Sequence, residues 1–555
     1  MKTIQRTLYL MAFTAVSAAC SDPMDEITDV KYWRAFSPIE LNVEPGSFDQ
    51  ATVTWKSTDG ARLYDVKLSQ GDSLEFTNIV KTWEETELTR LSLTGLWGQS
   101  QYSIAVRAKA FNEGQEDSQW TAVEFKTSAE QIFKAVKEVE VKATSMIVRF
   151  VLPHGQITRL ALDPPAQGGE SVPLSAGDIE AGYKEITGLT PDTGYKISIF
   201  NEDQKRGEVS AVTQWKPAGS EGNVVMVNPG DDLATICGDD ANIGKIIYLP
   251  DGYTFTTNVN PGIVFAGDMT VYGDPDAIVK PKLTSTGTGG GTRLFTWRYK
   301  CNIDKLEFVN IVFQGSGKSA NGALVFGSAG GSSGTDDVDV LNTVRFERCD
   351  ILDWGRCFYR AQGTYNNPIG LVWLNNCYAG NVGAYGGQNG NYAFFTMNVG
   401  GGGIDNIRVT NSTFRTVYHS FVNAPLTSGN APCKKVTIEN CTFNDFITGP
   451  TATTSRIFID GNNNTEISID IKNTILGQSG PKSSGFRYGE GGAIAVSNTF
   501  TTSDYVNENT AQLLPSLTGS GIASTSLFRS PEAGDFTIVN AGFAGGNTSG
   551  DPRWR

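Results

Sequence analysis

A short phrase recurs through the C-terminal part of this chain, and it constrains the fold more than any other feature. Residues 407–414 read Ile-Arg-Val-Thr-Asn-Ser-Thr-Phe, and residues 436–443 read Val-Thr-Ile-Glu-Asn-Cys-Thr-Phe. Each alternates apolar and polar residues over a β-branched run, as a strand with one inward face does. Each then reaches an Asn, which bonds nearby backbone and tolerates a left-handed φ, so a turn follows. Variants stand at 306–313 (Leu-Glu-Phe-Val-Asn-Ile-Val-Phe), 344–351 (Val-Arg-Phe-Glu-Arg-Cys-Asp-Ile) and 372–378 (Val-Trp-Leu-Asn-Asn-Cys-Tyr). Shorter ones stand at 471–475 (Ile-Lys-Asn-Thr-Ile) and 496–500 (Val-Ser-Asn-Thr-Phe). The spacing of about 25 to 38 residues, with one strand-and-turn unit per copy, is that of a solenoid. No single coil can bury its own apolar face, so the coils must stack.

The sequence therefore predicts an all-β chain whose residues 222–555 form a right-handed parallel β-helix. The total of 555 residues leaves room for further domains, and 62 glycines fit a chain rich in turns. The net charge of −14 excludes a nucleic-acid binder, which needs a basic footprint. That charge is uneven: residues 222–555 hold 23 Lys and Arg against 28 Asp and Glu, so a local basic groove there is compatible with the total. Of eight cysteines, none falls in a zinc-type spacing. Cys349 and Cys441 occupy the same place in the repeat, which suits small apolar residues stacked inside a solenoid. A disulfide among the remaining cysteines stays open.

Residues 1–19 have the form of an export signal, with Lys2 and Arg6 ahead of an apolar core from Leu8 to Ala19. That core is too short to span a bilayer as a mature helix. Ser17-Ala18-Ala19-Cys20 resembles a bacterial lipoprotein box, although Ser17 departs from the usual Leu or Val. The resemblance implies that Cys20 is lipidated. Residues 20–32 would then be a tether, and its acidic start (Ser21-Asp22-Pro23-Met24-Asp25-Glu26) resembles the export tag of Bacteroidetes-type outer-membrane surface lipoproteins.

Residues 33–128 alternate over short runs separated by turn residues, as a β-sandwich does. Trp55 on an early strand and Leu96 ahead of Tyr102 resemble a fibronectin type III domain. Residues 134–216 resemble a second copy. There Leu189-Thr190-Pro191-Asp192-Thr193-Gly194-Tyr195 resembles the family's tyrosine corner, and Ile147-Val148-Arg149-Phe150 stands in for the tryptophan strand. The resemblance implies two spacer or binding modules, rarely an enzyme.

After the linker Lys216–Gly222, the run Lys245-Ile246-Ile247-Tyr248-Leu249-Pro250-Asp251-Gly252 resembles the first coil of pectate-lyase-like β-helices. Residues 233–237 are expected to form a small helix capping the open end, and Gly550–Arg555 to finish a C-terminal cap. Proteins of this resemblance bind glycans along a groove outside the stacked strands. Three stretches are candidates here. In 293–300, Phe295, Trp297 and Tyr299 share one face of a strand, and Arg298 and Lys300 the other. The aromatics either stack on sugar rings or fill the core. In 353–360, with Tyr365 following, Trp354 and Tyr359 are further candidate sugar contacts. Arg356 and Arg360 are, in a lyase, the candidate base that removes the C5 proton, the alternative being a solvated ion-pair edge, while Arg298 and Lys300 are the candidate uronate contacts. Asp350 and Asp353 are candidate ligands for a Ca²⁺ that neutralises a uronate. In the third stretch, 383–405 and the loop after it, His419 is a candidate contact; its alternative is a structural role within a repeat strand.

The paired-Asp and Gly-His-Gly arrangement of β-helical galacturonases is missing, and so is the Arg-Xaa-Pro-Xaa-Xaa-Arg motif of common pectate lyases. The fold resemblance thus brings no catalytic set with it. What it implies is a surface lipoprotein of a polysaccharide-utilisation system, working beside other glycan-uptake proteins at the outer membrane and binding a pectin-like or other acidic polysaccharide. A polysaccharide lyase acting by β-elimination is the alternative, and a structural stalk is the third reading.

Overall fold

The computed structural model describes residues 32–555, apart from 72, 153–154, 288–290, 299–300, 318–322, 328–339, 362–367, 385–391, 398–401, 428–431 and 449–455. The leader and Cys20 lie outside these residues, as do Tyr299 and Tyr365. Two compact units emerge. One takes the chain up to Ile132, with 153–156 and Asp203–Gly207. The other takes the rest.

In the first unit, strands Ile39–Pro45, Gln50–Lys56 and Arg90–Thr94 form one antiparallel sheet. Strands Tyr64–Gln70, Ile79–Thr86, Gln101–Ala108 and Thr121–Lys126 form the other. Trp55 is buried between them, edge-on to Tyr64 at 5.6 Å. The Tyr102 hydroxyl accepts a hydrogen bond from the Trp97 amide at 2.8 Å, a tyrosine corner. This is a fibronectin type III-like sandwich.

The second unit begins with another sandwich. Its corner is the one expected: the Tyr195 hydroxyl accepts from the Thr190 amide at 2.8 Å. Val148 and Phe150 fill the place of the early-strand tryptophan, both buried. The solenoid follows, a parallel β-helix of three all-parallel sheets. The first sheet has ten strands, from Val224–Met226 to Ala493–Ser497. The second has ten, from Thr254–Thr257 to Leu517–Gly519, and the third has eight, from Ile263–Phe265 to Ser483–Tyr488. The register follows the sequence repeat: Val344 pairs with Val372, Val372 with Ile407, Ile407 with Val436 and Val436 with Ile469. The closing Phe of each phrase points inward, so Phe414 stacks on Phe443 at 4.8 Å. Such stacks run along the whole interior, with Phe358 on Phe394 at 4.8 Å and Phe295 on Phe326 at 5.0 Å. Helix Leu233–Gly238 buries Leu233 and Cys237 into the start of this core.

The Asn of the phrase makes the bend between the first and second sheets. Asn310, Asn376, Asn411, Asn440, Asn473 and Asn498 all have positive φ, between 43° and 55°, with Arg348 at 55° in the remaining coil. Their amides ladder across coils: Asn440 Nδ2 donates to Asn411 Oδ1 at 3.0 Å, and Asn498 Nδ2 to Asn473 Oδ1 at 2.8 Å. The residue after each Asn is buried at the corner, and where it is Cys, Ser or Thr its side chain donates to nearby carbonyls, as Cys441 Sγ does to Val409 O at 3.6 Å. All seven described cysteines are free, and burial pushes the thiols of Cys357, Cys377 and Cys433 up to about 12.

Two of the three outer faces are covered, at least in part. On the first sheet, Trp215 O accepts from the Tyr272 hydroxyl at 2.9 Å, and Glu138 Oε2 from Asn376 Nδ2 at 2.7 Å. The second sheet is covered by the chain's own tail. Instead of only closing the last coil, residues 520–555 run back along it. Leu527, Phe528, Phe536 and Phe543 pack on Ile475 and Phe500. Asp551 is buried and accepts from Thr413 Oγ1 at 2.7 Å, and Arg553 reaches Cys377 O at 2.9 Å. Among the described residues, no helix is long and apolar enough to cross a membrane.

Asn440→Ala puts an alanine at a left-handed φ and breaks the ladder, for an expected loss of about 2 kcal/mol; Asn440→Gly keeps the conformation and should lose about 1 kcal/mol. Urea unfolding of the two variants checks the order, and equal losses would contradict it.

Candidate functional site

The outer face of the third sheet carries Arg360, with Arg356 in the bend before it. Its outward positions include Arg360, Thr396, Asn423, Asp460 and Arg487, paired strand to strand across successive coils. Several connections between this sheet and its neighbours lie outside the described residues. Loops that vary in length beside a regular sheet are where solenoids place binding residues.

Here the fold brings Arg356 and Arg360 together. Arg356 lies in the bend before strand Tyr359–Arg360, and Arg360 is that strand's outward residue. Both guanidiniums lie over the Tyr392 ring, 4.8 Å and 5.0 Å from its centre. Arg356 is buried; Arg360 is half-buried, with a buried Nε that has no hydrogen-bond partner. Among the described residues no carboxylate forms an ion pair with Arg360. Arg293 approaches the same pair, and burial with the neighbouring Arg360 lowers its proton affinity. Two guanidiniums on one phenol ring, with a third close to Arg360, thus make a partly buried cationic spot, where an anion is bound more strongly than on an open surface.

His419 lies on the next coil, buried at 6% exposure. Its Nδ1 accepts from the Ser420 amide at 2.6 Å, which fixes the proton of the neutral ring on Nε2. Burial, aided by Arg456, lowers its pKa to about 3. The ring is therefore neutral at ordinary pH and donates or accepts only as a neutral group.

The aromatic candidates take the other course left open by the sequence. Trp297, Trp354 and Tyr359 are buried in the solenoid, at 6%, 0% and 0% exposure. Trp354 Nε1 donates to Phe313 O at 3.0 Å, and the Tyr359 hydroxyl donates to Gly402 O. None presents a ring to a sugar, because inward positions of every coil must fill one continuous core. Arg298 turns toward the capping segment, donating to Gly238 O at 2.6 Å and pairing with Asp240. Asp350 and Asp353 do not form a calcium site. Asp350 is an outward residue of the second sheet, on a different face from Arg360, and pairs with Lys280 at 2.9 Å. Asp353 accepts from Gln314 at 2.8 Å and Asn381 at 2.6 Å. Among the described residues no three His, Cys, Asp or Glu gather as metal ligands. Arg293 and Tyr392 fall within the first and third candidate stretches of the sequence but carry no assigned role there; the stacking of coils brings Arg293 near Arg360 and Tyr392 under both Arg356 and Arg360.

A second concavity, of about 430 Å³, lies where Thr213–Trp215 face the outer side of the first sheet. Its charges are already matched: Arg345 pairs with Glu307 and Glu347 at 2.9 Å each, and Lys305 with Glu307 at 2.7 Å. It offers no unpaired cation comparable to Arg360.

A family model described as "Domain of unknown function (DUF5123)" matches residues 436–554, the last coils and the returning tail. No curated protein matches the chain significantly. Among solved structures, a two-domain fibronectin type III segment of chicken tenascin covers 32% of this chain and 99% of its own, at 17% identity and a TM-score of 0.23. The FN5 domain of Drosophila Lar covers 17% of this chain and 97% of its own, at 20% identity and a TM-score of 0.14.

The His419 shift sets a pH dependence. A histidine with a folded pKa below its unfolded value loses stability as pH falls below about 6.5, by up to about 1.4 kcal/mol per pH unit. The loss continues toward the folded pKa of about 3. His419→Asn should flatten this acid limb in unfolding measured from pH 7 to pH 4; an unchanged slope would contradict the assignment.

Proposed function

We propose that the chain is a surface lipoprotein that captures an acidic, pectin-like polysaccharide on the outer face of the third sheet. The observation that carries this reading is the pair Arg356 and Arg360 over the Tyr392 ring, with Arg293 within electrostatic reach of Arg360 and Arg360 lacking a described carboxylate partner. A uronate carboxylate supplies the missing charge, and the parallel coils offer an extended track to a polymer of repeating acidic sugars. The two sandwiches suit a spacer role. The leader, the Ser17–Cys20 box and the acidic tether support anchoring at the outer membrane, beside other glycan-uptake proteins.

The second reading is a polyuronate lyase. It is favoured by one observation: the lowered proton affinity of Arg293, the direction a guanidine needs to act as base. Such a base would take the C5 proton while the 4-O substituent leaves. His419, neutral and buried, is not suited to be the proton donor.

Native gels cast with polygalacturonate separate these readings. The wild-type chain should be retarded, and Arg356→Ala with Arg360→Ala should weaken binding by more than about tenfold, roughly 1.4 kcal/mol. Retardation with no unsaturated uronate formed marks a binder. Accumulation of that product, abolished by Arg293→Ala, marks a lyase. Equal retardation of wild type and the double variant would remove the site.

A further inference from the structure

At the described solenoid positions expected to hold sugar-binding aromatics, Trp297, Trp354 and Tyr359, the rings are buried, yet a group of exposed aromatics stands in the first unit. Tyr32, Trp33, Phe36 and Phe111 are 53%, 68%, 48% and 50% exposed and line one cleft of about 990 Å³. Single exposed aromatics need no explanation; four around one concavity on a folded domain do.

The cleft is built rather than incidental. Segment Trp33–Phe36 is held between two turns. On one side the Glu116 amide donates to Trp33 O and the Ala35 amide to Glu116 O, both at 2.9 Å. On the other, Thr58 Oγ1 donates to Phe36 O at 3.1 Å. Gly60, at φ +79°, lies directly under the Phe111 ring: a Cβ there would come within 2.0 Å of it. Tyr32 and Phe36 pack edge-on at 4.5 Å, so the rings brace one another.

The polar groups of the cleft indicate the ligand. Among the described residues no Lys or Arg lines the cleft; Arg34, beside Trp33, pairs with Glu116 at 2.6 Å and lies over the Trp33 ring at 4.7 Å. Asp59, Asn112 and Glu113 remain on the lining, carboxylates and an amide that can accept from or donate to hydroxyls. Their negative charge disfavours a uronate and an anionic lipid surface alike. Flat rings for the C–H faces of pyranoses, with acceptors for hydroxyls beside them, fit an uncharged saccharide. We infer that this cleft of the first sandwich binds an uncharged glycan chain, so the sandwich is a second glycan-binding module and not solely a spacer. The inference does not rest on the third-sheet reading.

The test uses the full chain in detergent, in native gels cast with a neutral β-glucan, a galactan or a mannan, and with polygalacturonate. Wild type should be retarded by at least one neutral glycan. Trp33→Ala with Phe111→Ala should lose that retardation by tenfold or more while keeping polygalacturonate retention and an unchanged melting temperature. Arg356→Ala with Arg360→Ala should show the reverse pattern. Because Phe111 packs on Gly60, Trp33→Ala alone is the second variant; its ring touches no core, and it should weaken binding without affecting folding. No retardation by any neutral glycan, or retention unchanged in both variants, overturns the inference. So does binding to phosphatidylethanolamine vesicles that depends on Trp33 while glycans are ignored.

Discussion

Everything in the larger unit depends on the backbone ladder between successive coils. A coil of this solenoid has one short strand per side and no core of its own, so its apolar residues are buried only when the next coil is in register. Register is set at the corner between the first and second sheets, where an asparagine adopts a left-handed φ and bonds the asparagine of the neighbouring coil. From that corner the inward positions follow, and phenylalanine stacks fill them.

A solenoid built this way has three outer faces, and function is decided by what covers them. The first receives contacts from the second sandwich through Trp215 and Glu138. The second receives the tail, whose buried Asp551 and Arg553 bond across several coils. The third face holds Arg360, with Arg356 and Arg293 near it. Arg356 and Arg360 converging on one ring make a cationic spot that an anionic ligand complements, which is the physical ground for assigning a ligand there.

The solenoid was legible in the sequence because its rule is local. The alternation, the Asn at the bend and the closing Phe each act within one coil, and the two tyrosine corners are similarly local. Arg356 and Arg360 were legible as cations after a repeat strand. What could not be read was which side of a coil an aromatic faces. Trp297, Trp354 and Tyr359 look like sugar platforms in a linear string, but the shared core claims them. Asp350 and Asp353 sit close in sequence to the arginines, yet a β-helix turns a corner between its sheets and separates them. Arg293 and Tyr392 join the cluster only through coil-to-coil stacking, which carries no local signal. The course of the tail was hidden for the same reason: its partners, Thr413 and Ile475, are far from it in the chain.

The central claim is that the third sheet's outer face holds an acidic glycan. Hydrogen–deuterium exchange with and without a galacturonate oligosaccharide tests it most directly. Slowed exchange at residues 359–361 and 392–396, on the strands beside Arg360 and Tyr392, is the predicted result. Protection confined to the concavity at Trp215 and Tyr272, or no protection in the solenoid at all, would contradict the account.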